Sequence, residues 1–127
     1  ADYLVLNETE LSILMESGKI IEDTNQITAY ARKLLEKGPK IVIVTLGSRG
    51  AVAVTQNKIL VAKGIKVKAI DTTAAGDCFI GALASQIKEN VDLKNALNFA
   101  NKASAISVQR WGASSSLPTL EEIRRFL

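Results

Sequence analysis

The residues best suited to chemistry lie in one polar turn, Asp71-Thr72-Thr73-Ala74-Ala75-Gly76-Asp77. The apolar residues from Ile65 to Ile70 predict a strand before it, and the apolar spacing from Phe79 onward predicts a helix after it. Small side chains at positions 74 to 76 let another molecule approach the main chain, and the N–H groups of a helix start favour an anion. Asp77 lies in that first turn, where an ionised carboxylate can accept a proton. The pattern predicts an anion site beside a general base, and an ordinary capped turn is the alternative.

Two further segments carry polar residues directly after predicted strands. Asn7 and Glu10 follow the apolar run Tyr3-Leu4-Val5-Leu6, and their spacing is that of a capping box at a helix start. Thr45-Leu46-Gly47-Ser48-Arg49-Gly50 follows the apolar run at 41–44. This segment is not a P-loop, because it lacks Gly-Lys-Ser/Thr and a strand rather than a helix is predicted after it. Each segment also has a purely structural interpretation, as a helix cap and as a turn with two glycines.

Composition excludes several functional classes. The 127 residues, 47% of them hydrophobic, suffice for one globular domain with its own core. A net charge of +3 without a basic block argues against nucleic-acid binding. The absence of histidine rules out a Ser-His-Asp triad and the usual zinc sites, and the single cysteine, Cys78, fits a reducing compartment. No apolar run reaches the roughly 20 residues of a membrane span and no signal peptide is visible, so we expect a cytoplasmic protein without membrane partners.

Two helices are predicted between the first two strands. The first begins at Asn7 and ends at Gly18. The second begins at Asp23 or Thr24 and ends at Gly38-Pro39. The apolar residues expected to face the core from these helices are Leu11, Leu14, Met15, Ile27, Tyr30, Ala31, Leu34 and Leu35.

The rest of the chain is predicted to add a β-hairpin and three helices. Strands at 51–55 and 59–62 flank a turn at Gln56-Asn57. Asp92 is expected to cap a long helix, and a capping box at Thr119 opens the last one. This order of elements fits an α/β layered domain with a mainly parallel sheet, flanked by helices and carrying a β-hairpin. Ligands are then expected at the carboxyl ends of the strands.

Taken together, the motifs resemble the ribokinase-like (pfkB) carbohydrate kinases. The resemblance runs from Asn7 to Pro118, and its four ordered motifs are Asn7 with Glu10, the segments 45–50 and 71–77, and the loop Gly112–Pro118. It implies a ribokinase-like fold and phosphoryl transfer from ATP to a sugar hydroxyl, with D-ribose as the first expected sugar. The alternatives are another carbohydrate or nucleoside kinase of the family, such as a fructokinase or adenosine kinase, and an inactive nucleotide-binding fragment.

The resemblance also implies roles for individual residues. Asp77 is expected to be the catalytic base, with Ala75 and Gly76 forming the anion hole. The implied ATP-binding positions, some of which hold magnesium through water, are Asn7, Glu10, Thr45, Leu46, Gly47, Ser48, Arg49, Gly50, Gly76, Asp77 and Asn101. The implied ligands of a monovalent cation, for which potassium is expected, are Asp71, Thr73, Ser107, Arg110, Gly112 and Ser116.

Asn101 lies on the long helix predicted after Asp92. The resemblance places it at the adenine pocket, and a solvent-facing helix residue is the alternative. Small side chains surround it and permit close packing against a neighbouring element or a flat ligand; they are Ala100, Ala103, Ser104 and Ala105.

The chain departs from the family pattern at three positions and in its length. Ile80 stands where a polar Asn is frequent, Cys78 stands where Thr or Ser is frequent, and Trp111 adds a bulky ring to the cation loop. Kinases of this family also carry an N-terminal half, with most of the sugar contacts and a small β-sheet lid, that this sequence lacks. We therefore expect residues 1–127 to be the C-terminal, nucleotide-binding part of such an enzyme, whose full-length form is expected to be a homodimer.

Overall fold

The computed structural model describes residues 3–18, 23–65, 67 and 75–109. The chain divides into two compact units, a first unit Ala1–Val61 and a second unit Ala62–Leu127. The described elements, in chain order, are β1 (Tyr3–Asn7), α1 (Glu8–Leu14), α2 (Thr24–Leu35), β2 (Ile41–Thr45), a 3-10 turn (Gly47–Arg49), β3 (Gly50–Thr55), β4 (Ile59–Lys63), α3 (Ala75–Lys88) and α4 (Leu93–Ser107).

The four described strands form one sheet in the order β1-β2-β3-β4. β1 runs parallel to β2, with Asn7 opposite Thr45, and β2 runs antiparallel to β3, with Thr45 opposite Ala51. The predicted α/β class is confirmed, and the sheet of the described residues is mixed. Because β1 and β2 are parallel in this register, the segments that follow Asn7 and Thr45 leave the same edge of the sheet side by side.

The core of the first unit lies between this sheet and the first two helices. Val42, Ile43 and Val44 have no exposed surface, so β2 is covered on both faces, as is typical of a buried strand. The buried residues that pack together are Leu6, Leu11, Ile27, Ala31, Leu34, Val42, Val44, Leu46, Val52 and Val54. Tyr30 and Leu35 pack partly buried against them, so the whole predicted apolar stripe of α2 faces the core.

The start of α2 is the one that the sequence predicts, whereas its end comes before the predicted stop at Gly38-Pro39. Asp23 is the N-cap, and its carboxylate accepts a hydrogen bond from the Asn25 N–H at 3.1 Å. The helix ends at Leu35, and Gly38 follows with a φ of 134°, a conformation that residues with a Cβ rarely adopt.

The predicted end of α1 is wrong. The helix ends at Leu14 with Met15 as its C-cap, well before Gly18. Glu16 has a φ of 53°, in the left-handed region, so the helical backbone cannot continue through it. The sequence offered only Gly18 as a helix stop, and the earlier break at a glutamate has no signal in residue type.

The predicted buried face of α1 is also partly wrong. Leu11 is fully buried, but Leu14 is 53% exposed and Ser12 is buried instead. Positions 8, 11, 12 and 15 share one face of a helix, and position 14 lies away from it. Ser12 tolerates burial because its hydroxyl donates a hydrogen bond to the Glu8 carbonyl at 2.8 Å.

In the second unit, α3 packs against α4. Asp92 caps α4 as predicted, because its carboxylate accepts a hydrogen bond from the Asn95 N–H at 2.8 Å. The buried residues of α4 are Ala96, Leu97, Ala100, Asn101, Ala103, Ile106 and Ser107. Cys78 of α3 packs with Ala103 and Ile106, so the small residues of α4 serve contact with a neighbouring helix.

Two predicted elements lie partly or wholly outside the described residues. They are the strand before Asp71, of which only Ile65 and Val67 are described and carry no strand assignment, and the helix expected after Thr119. Within the described part of the chain, no helix combines the length and the apolarity needed to cross a membrane.

Candidate functional site

The start of α1 forms the predicted capping box. The Asn7 side-chain oxygen accepts a hydrogen bond from the Glu10 N–H at 2.7 Å, and the Glu10 carboxylate accepts one from the Asn7 N–H at 2.9 Å. The structural interpretation of this pair is therefore confirmed. Both residues are exposed, and the box engages only Oε1 of the Glu10 carboxylate, so its geometry is compatible with a water-mediated contact through Oε2.

The turn after β2 is anchored at its start and exposed at its tip. Leu46 is buried in the core of the first unit, and its N–H donates a hydrogen bond to the Gly50 carbonyl at 2.8 Å. Gly47 and Gly50 have φ angles of 59° and 98°, which glycine adopts at little cost. Gly47, Ser48 and Arg49 are exposed, and a strand follows, as predicted. The turn thus presents main-chain and side-chain donors beside the end of β1.

An ion pair joins this turn to the first turn of α1. Arg49 Nη2 lies 2.8 Å from Glu8 Oε2, and the two side chains are 45% and 27% exposed. Residue type and local spacing do not single out Glu8. The one feature that points to Glu8 is the strand register, because pairing of Asn7 with Thr45 places the residues that follow them close together.

The first turn of α3 carries the candidate base. Gly76 and Asp77 are exposed, while Cys78 and Phe79 directly after them are buried. The N–H groups of a first helical turn have no partners within the helix, so they are available to an anion. The Asp77 carboxylate is therefore open to a ligand, as a general base must be.

Two hydrogen bonds from the α3–α4 interface flank that turn. Ser104 Oγ donates to the Ala75 carbonyl at 3.3 Å, and Cys78 Sγ donates to the Ala103 carbonyl at 3.4 Å. Both lie within the second unit, one on each side of Gly76 and Asp77 in sequence. They tie the candidate anion site and base to α4.

Asn101 is buried, so the solvent-facing interpretation is wrong. Its side chain is 8% exposed, and Nδ2 donates a hydrogen bond to the Lys63 carbonyl at 2.8 Å. Helix periodicity could not show this, because the acceptor lies 38 residues away in sequence. The amide ties α4 to the end of β4, and its place at an adenine pocket stays a prediction.

Of the expected cation ligands, Ser107 alone falls within the described residues. It ends α4 and is 1% exposed, and its hydroxyl donates to the Ser104 carbonyl at 2.9 Å. The last carbonyls of a helix carry partial negative charge, so the Ser107 carbonyl suits a cation. The other expected ligands lie outside the described residues, as does Trp111; they are Asp71, Thr73, Arg110, Gly112 and Ser116.

The family is shown by the sequence itself. Residues 1–120 match the family described as pfkB family carbohydrate kinase. The chain belongs to the pfkB family of carbohydrate kinases. The predicted resemblance is confirmed, and so is the assignment of this chain to an enzyme family.

Individual pfkB relatives cover the same region. A ribokinase of Schizosaccharomyces pombe is 49% identical over 123 residues, 95% of this chain and 39% of the relative. A solved ribokinase of Arabidopsis thaliana, complexed with ribose and ATP, is 35% identical with a TM-score of 0.89, over 98% of this chain and 40% of that one. A fructokinase of Vibrio cholerae, solved with fructose, ADP and calcium, is 29% identical with a TM-score of 0.85, over all of this chain and 41% of that one.

This pfkB chain therefore spans about 40% of the length of the curated relatives it matches. Within the first unit, the structure brings Asn7 and Glu10 to the same sheet edge as the turn at 45–50. Within the second unit, it places Ala75, Gly76 and Asp77 in one helical turn and Asn101 elsewhere on α4. Among the described residues, no three acidic or cysteine side chains are grouped closely enough to hold a metal ion.

Proposed function

We propose that residues 1–127 are the C-terminal, nucleotide-binding and catalytic-base part of an ATP-dependent sugar kinase. The reaction is transfer of the γ-phosphoryl group of ATP to a hydroxyl of D-ribose, giving ribose 5-phosphate. One observation carries the proposal: the first turn of α3 exposes Gly76 and the carboxylate of Asp77. The ribokinase relative with bound ribose and ATP, of the same fold, supports it.

In this proposal Asp77 removes the proton of the attacking hydroxyl. A positioned general base contributes typically about 10² to 10⁴ in rate. The N–H groups of Ala75 and Gly76 hold the negative charge that develops on the transferring group, which preorganised backbone donors do at no reorganisation cost. The buried neighbours Cys78 and Phe79 fix the turn, so that neither group has to be ordered at the moment of reaction.

Within the first unit, the residues proposed to bind nucleotide lie along the polar edge. The exposed turn Gly47–Arg49 offers donors to phosphate and ribose. Magnesium prefers oxygen ligands and keeps several waters, and Glu10 Oε2 lies outside the capping box, so Asn7 and Glu10 fit a role behind metal-bound water. When bound, magnesium neutralises phosphate charge. Potassium fits the Ser107 carbonyl, and a cytoplasmic homodimer stays the predicted state of the full-length enzyme.

One comparison supports fructose as a second candidate acceptor. The fructokinase of Vibrio cholerae shares this fold with fructose bound, so the family does not act on ribose alone. In the proposal the sugar contacts lie mostly in the part of the relatives that this chain does not span. A panel of ribose, deoxyribose, fructose and adenosine, tested with the enzyme restored to its relatives' length, identifies the acceptor.

The decisive experiment is Asp77→Asn in that restored enzyme. We expect turnover to fall by about 10² to 10⁴ while the ATP affinity stays near normal, because only the proton acceptor is lost. Asp92→Asn is the matched control. It removes the same charge from an exposed helix start and keeps a good N-cap, so turnover should not change.

Near-normal turnover in Asp77→Asn removes this residue from the role of base. Sugar phosphorylation by the 127-residue chain alone would show instead that the acceptor pocket lies within these residues. ATP binding without any turnover, in both the short and the restored protein, would support the inactive nucleotide-binding fragment.

A further inference from the structure

The Glu8–Arg49 ion pair is a long-range side-chain contact between the two polar segments of the first unit. Its atoms lie 2.8 Å apart, and its residues are 41 positions apart in sequence. Glu8 is in the first turn of α1, between the two capping residues Asn7 and Glu10. Arg49 ends the 3-10 turn that the proposed function assigns to phosphate and ribose. The pair therefore spans two segments that are proposed to contact the same nucleotide.

The small free energy expected of this ion pair indicates that it orients side chains rather than stabilising the fold. Ion pairs this exposed contribute only about 0 to 1 kcal/mol to folding, so the fold does not depend on it. The turn is already closed by the Arg49 N–H, which donates to the Leu46 carbonyl at 3.1 Å, and by burial of Leu46. What the backbone does not fix is the long Arg49 side chain, which has several rotatable bonds and a planar head with five N–H donors.

We propose that Glu8 is a positioning residue for nucleotide binding. It holds the Arg49 guanidinium, and through it the tip of the Gly47–Arg49 turn, in one orientation beside the start of α1. A guanidinium can bond a carboxylate through one nitrogen and an anion through another, so this tie is compatible with contact to a phosphate. The inference rests on the proposed function, because it assumes that the turn binds nucleotide.

A competing effect has the opposite sign and makes the inference testable. Glu8 is itself an anion beside a proposed polyphosphate site, so its removal should strengthen nucleotide binding if repulsion dominates. If positioning dominates, its removal should weaken binding, because the ordering of Arg49 must then occur at the moment of binding. The direction of the change in affinity therefore separates the two effects.

The experiment measures the affinity of the 127-residue chain for MgATP, by titration calorimetry at one ionic strength. The variants are Glu8→Gln, Arg49→Gln and the double substitution. Glu16→Gln is the control, because it removes the same charge from an exposed residue just beyond α1. Unfolding in urea is followed for every variant, so that a loss of affinity is not mistaken for a loss of fold.

We expect Glu8→Gln to weaken MgATP binding about two- to fivefold, the usual size of an exposed ion-pair coupling. The double variant should bind no more weakly than Arg49→Gln alone, because Glu8 acts only through Arg49. Glu16→Gln should bind like the wild type. In the chain without nucleotide, amide exchange at Arg49 should be about two- to fivefold faster in Glu8→Gln, because the ion pair that restrains the turn tip is lost.

Unchanged or tighter binding in Glu8→Gln overturns this inference and leaves the nucleotide site in place. Additive losses in the double variant also overturn it, because Glu8 would then act independently of Arg49. A wild-type chain that binds no MgATP overturns the proposed nucleotide role of the turn, and this inference with it.

Discussion

The polar edge of the first unit and the first turn of α3 in the second unit are held in different ways. The exposed side chains of the first are held on the surface, by the capping box of Asn7 and Glu10 and by the half-exposed Glu8–Arg49 pair. The first turn of α3 is held by the buried side chains of Cys78 and Phe79 and by hydrogen bonds to α4. Surface ties contribute little free energy and adjust easily, whereas buried contacts are costly to disturb. The difference suits the proposed roles, a nucleotide-binding edge that adapts and a catalytic turn that stays fixed.

The largest expected effect comes from the buried anchor of the candidate catalytic turn. Phe79 is 2% exposed, so Phe79→Ala should lower the free energy of unfolding by about 3–5 kcal/mol. Ile80→Ala is the matched control. The Ile80 side chain is 47% exposed, so its truncation should lower the free energy of unfolding by only about 0.5 kcal/mol. Urea unfolding followed by circular dichroism measures both. Equal losses for the two variants would mean that α3 is not anchored through the Phe79 face.

A smaller effect tests the buried polar tie of α4. Asn101→Ala removes the donor to the Lys63 carbonyl, and an unsatisfied group in a partly buried site costs about 1–3 kcal/mol. Lys94→Ala, at an exposed position of the same helix, should change the free energy of unfolding by about 0.5 kcal/mol or less. If Asn101→Ala lowers the free energy of unfolding no more than Lys94→Ala does, Asn101 behaves as a solvent-facing residue.

The smallest effect tests the surface tie of the first unit. Asn7→Ala removes one half of the capping box and should cost about 1 kcal/mol, the usual value for an N-cap. Asn7→Ser should retain most of the stability, because serine caps a helix equally well. The same urea titrations compare them. If Asn7→Ala proved more destabilising than Phe79→Ala, the contrast between an adaptable edge and a fixed turn would be reversed.

The parts of the fold that the sequence predicted well depend on neighbouring residues. The caps at Asn7, Asp23 and Asp92 were predictable because donor and acceptor lie two or three residues apart. The apolar stripe of α2 was predictable from its period. The site motif at 71–77 was identified from residue types in order, although residues 71–74 lie outside the described part.

The errors fall where a distant contact decides. Leu14 was expected in the core, but the rotation of α1 is set by its packing, which buries Ser12 instead. The solvent-facing alternative for Asn101 is wrong, because its amide bonds a carbonyl 38 residues away. The ion pair of Glu8 was not predictable from the sequence, because its partner, Arg49, becomes its neighbour only once β1 and β2 pair.

The sequence by itself determined the family, the order of elements and the chemical identity of the candidate base, because these depend on residue type and on spacings of a few residues. Tertiary structure alone decided which side of α1 is buried, which partner Asn101 bonds and which carboxylate holds Arg49. The physical reason is that hydrogen bonds and ion pairs act over about 3 Å, and only strand pairing and helix packing bring residues distant in sequence that close.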